Sequence, residues 1–397
     1  MAPVSGKACL LVTNLFPPAL GGSAEVYAAL CSHARGEIVV LASSHDHQTG
    51  QERPGWREFD RNAGYPIHRL TCIRPFFRKA YRGLSYRLHE AAATVRLVTT
   101  VLQLVCRYRV QAICVADDET LGWLVPVSRF LLGRRALIYC HGDDLQGGKG
   151  DVVRRSRWLG LAHHVVAANR YAASLLANRF AVAQDRIVLI ENGVDLALFH
   201  PKAPPQSFVA RHGLQGRQVL LTVTRLVPRK GVDKVLEAMP AVARLFPRAL
   251  YLIVGDGPQR SELQALASKL GVADRVIFAG AVPHDETVNF YRCADMVLLP
   301  NRQEKGDADG LPLVFLEAGA CAKPVIGGEA GGTVEVIQDG ENGFVVDGRD
   351  VRAIEAAICR LLGNENLRVA MGQKGLQLAQ GWDWRGRTGL FLQTCRS

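Results

Sequence analysis

The chain has 397 residues, 48% of them hydrophobic and 21% charged, with a formal net charge of +11. That length accommodates two domains with sizeable cores, and no run of about 18 apolar residues occurs, which excludes a spanning helix. The charge is uneven: residues 53–109 hold 12 Lys/Arg against 3 Asp/Glu, so the excess sits mainly in one segment. Ten cysteines are scattered without a CxxC pair, and the N-terminal MAPVSGKACLLVTNLFPP has too short an apolar run for a signal peptide. The thiols therefore read as reduced and mostly buried, in a cytoplasmic protein.

Through the first half, short apolar runs alternate with helical patterns, the mark of βαβ units. Ala8 to Val12 reads as a first strand, followed by the loop Asn14 to Ser23 and a helix with Val26 and Leu30 inward. Gly21 and Gly22 stand at that helix start, where the missing Cβ lets a backbone approach a phosphate closely. A plain structural turn fits the same pair. Further strands are expected at residues 37–42, 67–70, 110–116, 135–140, 165–168 and 187–190, and the stretch from His45 to Arg82 is otherwise polar and irregular.

Leu88, Ala92, Val95, Val98, Leu102 and Val105 predict a long helix over residues 84–107. It begins in FFRKAYRGLSYR, where aromatics and cations interleave. Residues 74–87 thus suit an anionic membrane surface as well as an ordinary solvated face. No nucleic-acid-binding motif accompanies the basic segment, so no nucleic acid partner is expected. His141 lies at the carboxyl end of the fifth strand, in His141-Gly142-Asp143-Asp144.

Three prolines in residues 201–205 mark a domain boundary. Beyond it the alternation restarts, with strands at 219–224, 251–254, 275–279, 296–299, 324–328 and 341–346. The first of these ends in RLVPRKGVDKVLEA, which brings Arg225 and Lys230 to a strand end and helix start. Two cations there can clamp a diphosphate. GDGP at 255–258 serves a turn, and Gly331-Gly332 is expected to open a helix. After residues 296–299 comes a polar loop, then DGLPLVFLEAGA at 309–320, with Pro312 expected at a first helical position and Leu313 and Glu317 sharing a face. A helix N-terminus attracts phosphate, whereas carboxylates such as Asp309 and Glu317 repel it and accept hydroxyl groups instead. An anion site flanked by hydroxyl acceptors suggests a nucleotide sugar.

DGLPLVFLEAGA resembles the E-x7-E motif of family-4 retaining glycosyltransferases (glycosyl transferases group 1) of the bacterial exopolysaccharide and lipid-linked-glycan type. Glu317 matches the second Glu, and Asp309 stands one methylene short of the first. Glu191-Asn-Gly-Val-Asp matches the family's hinge, and Arg225 to Gly231 its G-R-L-x-x-x-K-G element. The resemblance implies the α/β GT-B fold: two facing Rossmann-like domains with a cleft between them, and a C-terminal helix crossing back to the first. The domains are expected at 1–193, binding the acceptor, and 194–380, binding the nucleotide sugar, with the crossover helix at 381–397.

By resemblance, the enzyme transfers a hexose from a UDP- or GDP-sugar, with retention, to a hydroxyl of a glycan or lipid-linked acceptor. It needs no metal and no other cofactor. His141, Arg225, Lys230 and Asp309 would be catalytic. Gly21, Gly22, Arg225, Lys230, Val282, Asp309, Gly310, Leu311, Pro312, Leu313 and Glu317 would bind the donor, with base contacts in the loop 280–282 and ribose on Glu317. The protein would be cytoplasmic and peripheral on the inner face of the membrane. A sugar-nucleotide 2-epimerase of the same fold and a catalytically silent nucleotide-sugar-binding paralogue are the alternatives.

Overall fold

Among the described residues, seven strands in the first half form one wholly parallel sheet. They are β1 (Cys9–Thr13), β2 (Ile38–Ser43), β3 (Ile67–Leu70), β4 (Ala112–Val115), β5 (Arg135–Cys140), β6 (His164–Ala167) and β7 (Ile187–Leu189). Their order is β3-β2-β1-β4-β5-β6-β7. Parallel strands need crossover helices on both faces, so the central ones read as unbroken apolar runs, CLLVT in β1 and AICV in β4. Six more strands form the second parallel sheet: β8 (Gln218–Val223), β9 (Ala249–Val254), β10 (Val276–Gly280), β11 (Met296–Leu299), β12 (Val325–Gly328) and β13 (Gly343–Val346). These run in the order β10-β9-β8-β11-β12-β13. The period of two is visible here, because Leu221, Leu252 and Val297 enter one apolar layer while Leu220, Tyr251 and Leu298 enter the other.

The computed structural model describes residues 7–19, 22–46, 49–73, 84–142, 145, 149–304 and 311–397. The chain divides into two compact units, Met1–Asn192 with Trp384–Ser397, and Gly193–Asp383. At the boundary Val194 donates its N–H to the Trp382 carbonyl (2.8 Å), so the outgoing and returning segments run side by side. The terminal helix, Trp384–Arg396, buries Trp384, Phe391 and Cys395, and the Phe391 ring lies 6.2 Å from that of Tyr139 on β5. All ten cysteines are free thiols.

Three local expectations need correction. The helix Trp56–Asn62 falls in the stretch read as irregular; it buries none of its residues, so no apolar stripe marks it. Pro312 has an extended backbone and caps a helix that starts at Leu313. Gly331 has a φ of +68°, and the glycine pair opens only a 3-10 turn, Gly331–Glu335.

Candidate active site

In a doubly wound sheet, ligands collect beyond the carboxyl ends of the strands, where the strand order reverses. Those points lie between β1 and β4 in the first unit, and between β8 and β11 in the second.

Beyond β1 and β4, the buried Asn14 donates Nδ2–H to Asp117 Oδ2 (2.5 Å) and Thr120 Oγ1 (2.9 Å). Asp118, next in the chain, forms a buried two-pronged ion pair with Arg155, both bonds 2.6 Å long. That pair ties the helix Lys149–Leu161 to the end of β4. His141 follows β5 and is half-buried. Its Nε2 lies 2.8 Å from the Tyr27 hydroxyl, which itself donates to the Ala116 carbonyl. The hydroxyl has only one hydrogen, so Nε2 supplies the other. Asn169 holds the His141 carbonyl (2.9 Å), fixing the backbone as well as the ring. Gly22 opens the helix that carries Tyr27, and a Cβ added there would meet nothing within 4 Å. The first unit thus brings His141 and the Gly22 helix together through Tyr27. Gly21, Asp143 and Asp144 lie outside the described residues.

In the second unit, the turn after β8 carries both expected cations. Arg225 is exposed and Lys230 half-buried, the latter ending the 3-10 turn Pro228–Lys230. This turn is braced on two sides. Leu226 donates to Asp256 O and Thr224 to Val254 O, both at 2.9 Å. That closeness explains the GDGP glycines: a Cβ on Gly255 would lie 1.8 Å from Thr224 O, and one on Gly257 would strike Leu226. On the other side Arg302 donates its N–H to Arg229 O, and its guanidinium grips Asp233 at 2.9 and 3.0 Å. Although burial works against its charge, the bonds from Asp233 hold the Arg302 pKa above its ordinary value.

Gly231 sits at the hinge of this bracing. Its φ is +72°, and a Cβ there would lie 2.1 Å from Pro300 O. Gly231→Ala should therefore destabilise the second unit by about 2 kcal/mol, through overpacking against backbone that cannot step aside. Chemical denaturation of wild type and variant checks this.

Beyond β11, Leu311 and Pro312 are buried and Leu313 half-buried at the start of the helix Leu313–Ala320. Glu317, on the same helix, is only 6% exposed, so it is no solvated, dipole-stabilised surface residue. Its Oε1 accepts from His284 Nε2 (2.8 Å) and its Oε2 from the Tyr291 hydroxyl (2.5 Å). Burial, reinforced by the neighbouring carboxylate, pushes the Tyr291 pKa well up, so the phenol remains a donor. Val282, in the loop after β10, packs half-buried against the same apolar layer as Leu311 and Phe315. Asp309 and Gly310 lie outside the described residues.

Five residues of this constellation escaped sequence reasoning: Asp233, His284, Tyr291, Asn301 and Arg302. Asn301 is 1% exposed and accepts from Gly328 N–H and Thr333 Oγ1, joining the ends of β11 and β12. Tyr291 left one usable signal, a phenol inside an otherwise buried helix, which demands a polar partner.

A model of glycosyl transferases group 1 matches residues 207–378, and one of glycosyltransferase family 4 matches residues 20–198. The chain belongs to this family. It is a glycosyltransferase with two Rossmann-like domains of the GT-B type. A GDP-mannose-dependent alpha-(1-6)-phosphatidylinositol monomannoside mannosyltransferase of Mycolicibacterium smegmatis is 32% identical over 95% of each chain. The monoacylated-acceptor counterpart from Corynebacterium glutamicum is 36% identical over 96% of this chain and 95% of its own. Among solved structures, Anabaena HepE in complex with UDP and glucose superposes with a TM-score of 0.80. It is 19% identical, over 98% of this chain and all of that one.

Proposed function

We propose that this glycosyltransferase moves mannose from GDP-mannose to a hydroxyl of a membrane glycolipid, with retention at the anomeric carbon and without a metal. The donor and acceptor classes are those named for the full-length mycobacterial and corynebacterial relatives. The geometry that carries the reading is the braced cation turn at the switch point of the second sheet, with Glu317 held in the same unit by two donors. Arg225 and Lys230 take the negative charge that develops on the leaving diphosphate, the task a metal would otherwise perform. The acceptor oxygen attacks on the face that the leaving group departs, and its proton passes to the departing phosphate oxygen. In this reading His141 contacts the transferred sugar, and no side-chain nucleophile is required.

A panel of GDP- and UDP-sugars, with and without phosphatidylinositol mannoside, tests this by donor consumption and by NMR of the product linkage. EDTA should leave the rate unchanged. Loss of activity in EDTA that a divalent metal restores would remove the metal-free reading. Donor isomerised without acceptor would mark an epimerase, and binding without turnover a silent paralogue.

We further propose a peripheral membrane face. No helix among the described residues is long and apolar enough to cross a bilayer. The 25-residue helix Leu84–Tyr108 nevertheless presents Leu88 and Val95, each 62% exposed, and Leu102, seven residues apart. Arg96 and Arg107 are exposed on the same helix. Cations beside an apolar stripe suit anionic headgroups over an acyl boundary. Residues 74–83, which lead into it, lie outside the described residues. Reversing charge at Arg78, Lys79 and Arg82 together should abolish binding to phosphatidylinositol-containing vesicles and leave donor binding intact. Wild-type protein that ignores such vesicles at low salt would sink the idea.

A further inference from the structure

We propose that His284 is the positioning residue that aims the Glu317 carboxylate at a vicinal diol, and so makes the site select ribonucleotides. The inference rests on the reading of Glu317 as the ribose contact and names the residue that makes that contact specific. A carboxylate offers about four acceptor positions, two on each oxygen. The structure fills one on each: His284 Nε2 donates to Oε1 and the Tyr291 hydroxyl to Oε2. Because a carboxylate has no hydrogen to give, Nε2 must carry it. The remaining positions are again one per oxygen, the pattern that two adjacent hydroxyls satisfy together.

The two donors are not equivalent. Tyr291 is fully buried in the helix Thr287–Cys293, with its ring 5.7 Å from that of the buried Phe199. It anchors the inner oxygen. The His284 side chain is 34% exposed against 8% for Glu317, so it stands on the solvent side, where a ligand must pass. Its ring packs against Phe199 (5.3 Å), and its backbone carbonyl accepts from Thr287 Oγ1 (2.6 Å). One segment, residues 284–291, thus delivers both donors to the carboxylate from a fixed backbone. Without His284, Oε1 is free to turn, and the diol loses its matched pair of acceptors.

The test is calorimetric: dissociation constants of GDP and UDP, and of their 2′,3′-dideoxy analogues, for wild type, Glu317→Ala, His284→Ala and His284→Gln. Wild type should prefer the better ribonucleotide over its dideoxy analogue by roughly 10- to 150-fold, the worth of charge-assisted hydrogen bonds. Glu317→Ala should erase that preference. His284→Ala should cut it about tenfold with dideoxy affinity unchanged, and His284→Gln, whose amide still donates, should restore most of it. A merely structural role would weaken both nucleotides alike. That result, or a full preference retained in His284→Ala, overturns the proposal. A wild type that binds both analogues equally, or a Glu317→Ala that still discriminates, overturns the ribose reading itself and the proposal with it.

Discussion

Replacing Lys230 with alanine should weaken nucleoside diphosphate binding by roughly 10- to 150-fold, the worth of one charge-assisted bond, and should slow turnover at least as much. The lysine ends a short turn whose backbone is fixed by β9 and the Gly255–Gly257 turn on one side and by Arg302 on the other. Its Cα is therefore held in place, and only the freedom of the side chain itself is left to lose on binding. Arg225 leaves the same turn but is exposed, and among the described residues its side chain makes no ion pair. Arg225→Ala should accordingly cost less affinity than Lys230→Ala. Both should lower turnover, because the charge they neutralise is greatest once the glycosidic bond has begun to break. Calorimetry with GDP and single-turnover rates on the donor separate the two effects. Unchanged GDP affinity in Lys230→Ala removes the lysine from the clamp.

The legible parts of this protein were those with a period. Strands buried on both faces spell themselves as aliphatic runs, so β5 and β11 fall where the alternation places them. Elements that bury no residue completely carry no such mark, as the helix Trp56–Asn62 demonstrates. Charged residues with a local motif, Arg225, Lys230 and Glu317, could be picked out from spacing and resemblance. Their supports could not. Arg302 meets Asp233 from 69 residues away, and His284 meets Glu317 from 33 residues away. Sequence spacing predicts contacts along one helix or strand, whereas these contacts are set by which strand ends the topology makes neighbours. Asn14 and Asp117 make the same point in the first unit, joined across 103 residues because β1 and β4 are adjacent.

The two carboxylates of the motif should fail in different ways. Glu317→Ala should weaken GDP and GDP-sugar equally, by roughly 10- to 150-fold, since ribose is common to both. The alanine also leaves the buried Tyr291 hydroxyl without its acceptor, a loss of about 1–3 kcal/mol in stability. Glu317→Gln separates the two consequences, because the amide oxygen can still accept from Tyr291. It should recover much of the thermal midpoint but not the nucleotide affinity, since the neutral amide no longer offers the ribose charge-assisted acceptors. Asp309, placed on the transferred sugar by the motif, should be silent towards free nucleotide. Asp309→Ala should lower turnover and sugar selectivity at nearly constant GDP affinity, the pattern of a contact felt mainly in the transition state. Asp309→Glu then distinguishes adaptation from decay. A site fitted to the shorter aspartate is crowded by the extra methylene and slows, whereas a site that has merely lost its glutamate speeds up. Should Asp309→Ala and Glu317→Ala lose free-nucleotide affinity to the same extent, sugar and ribose are not divided between the two residues in this way.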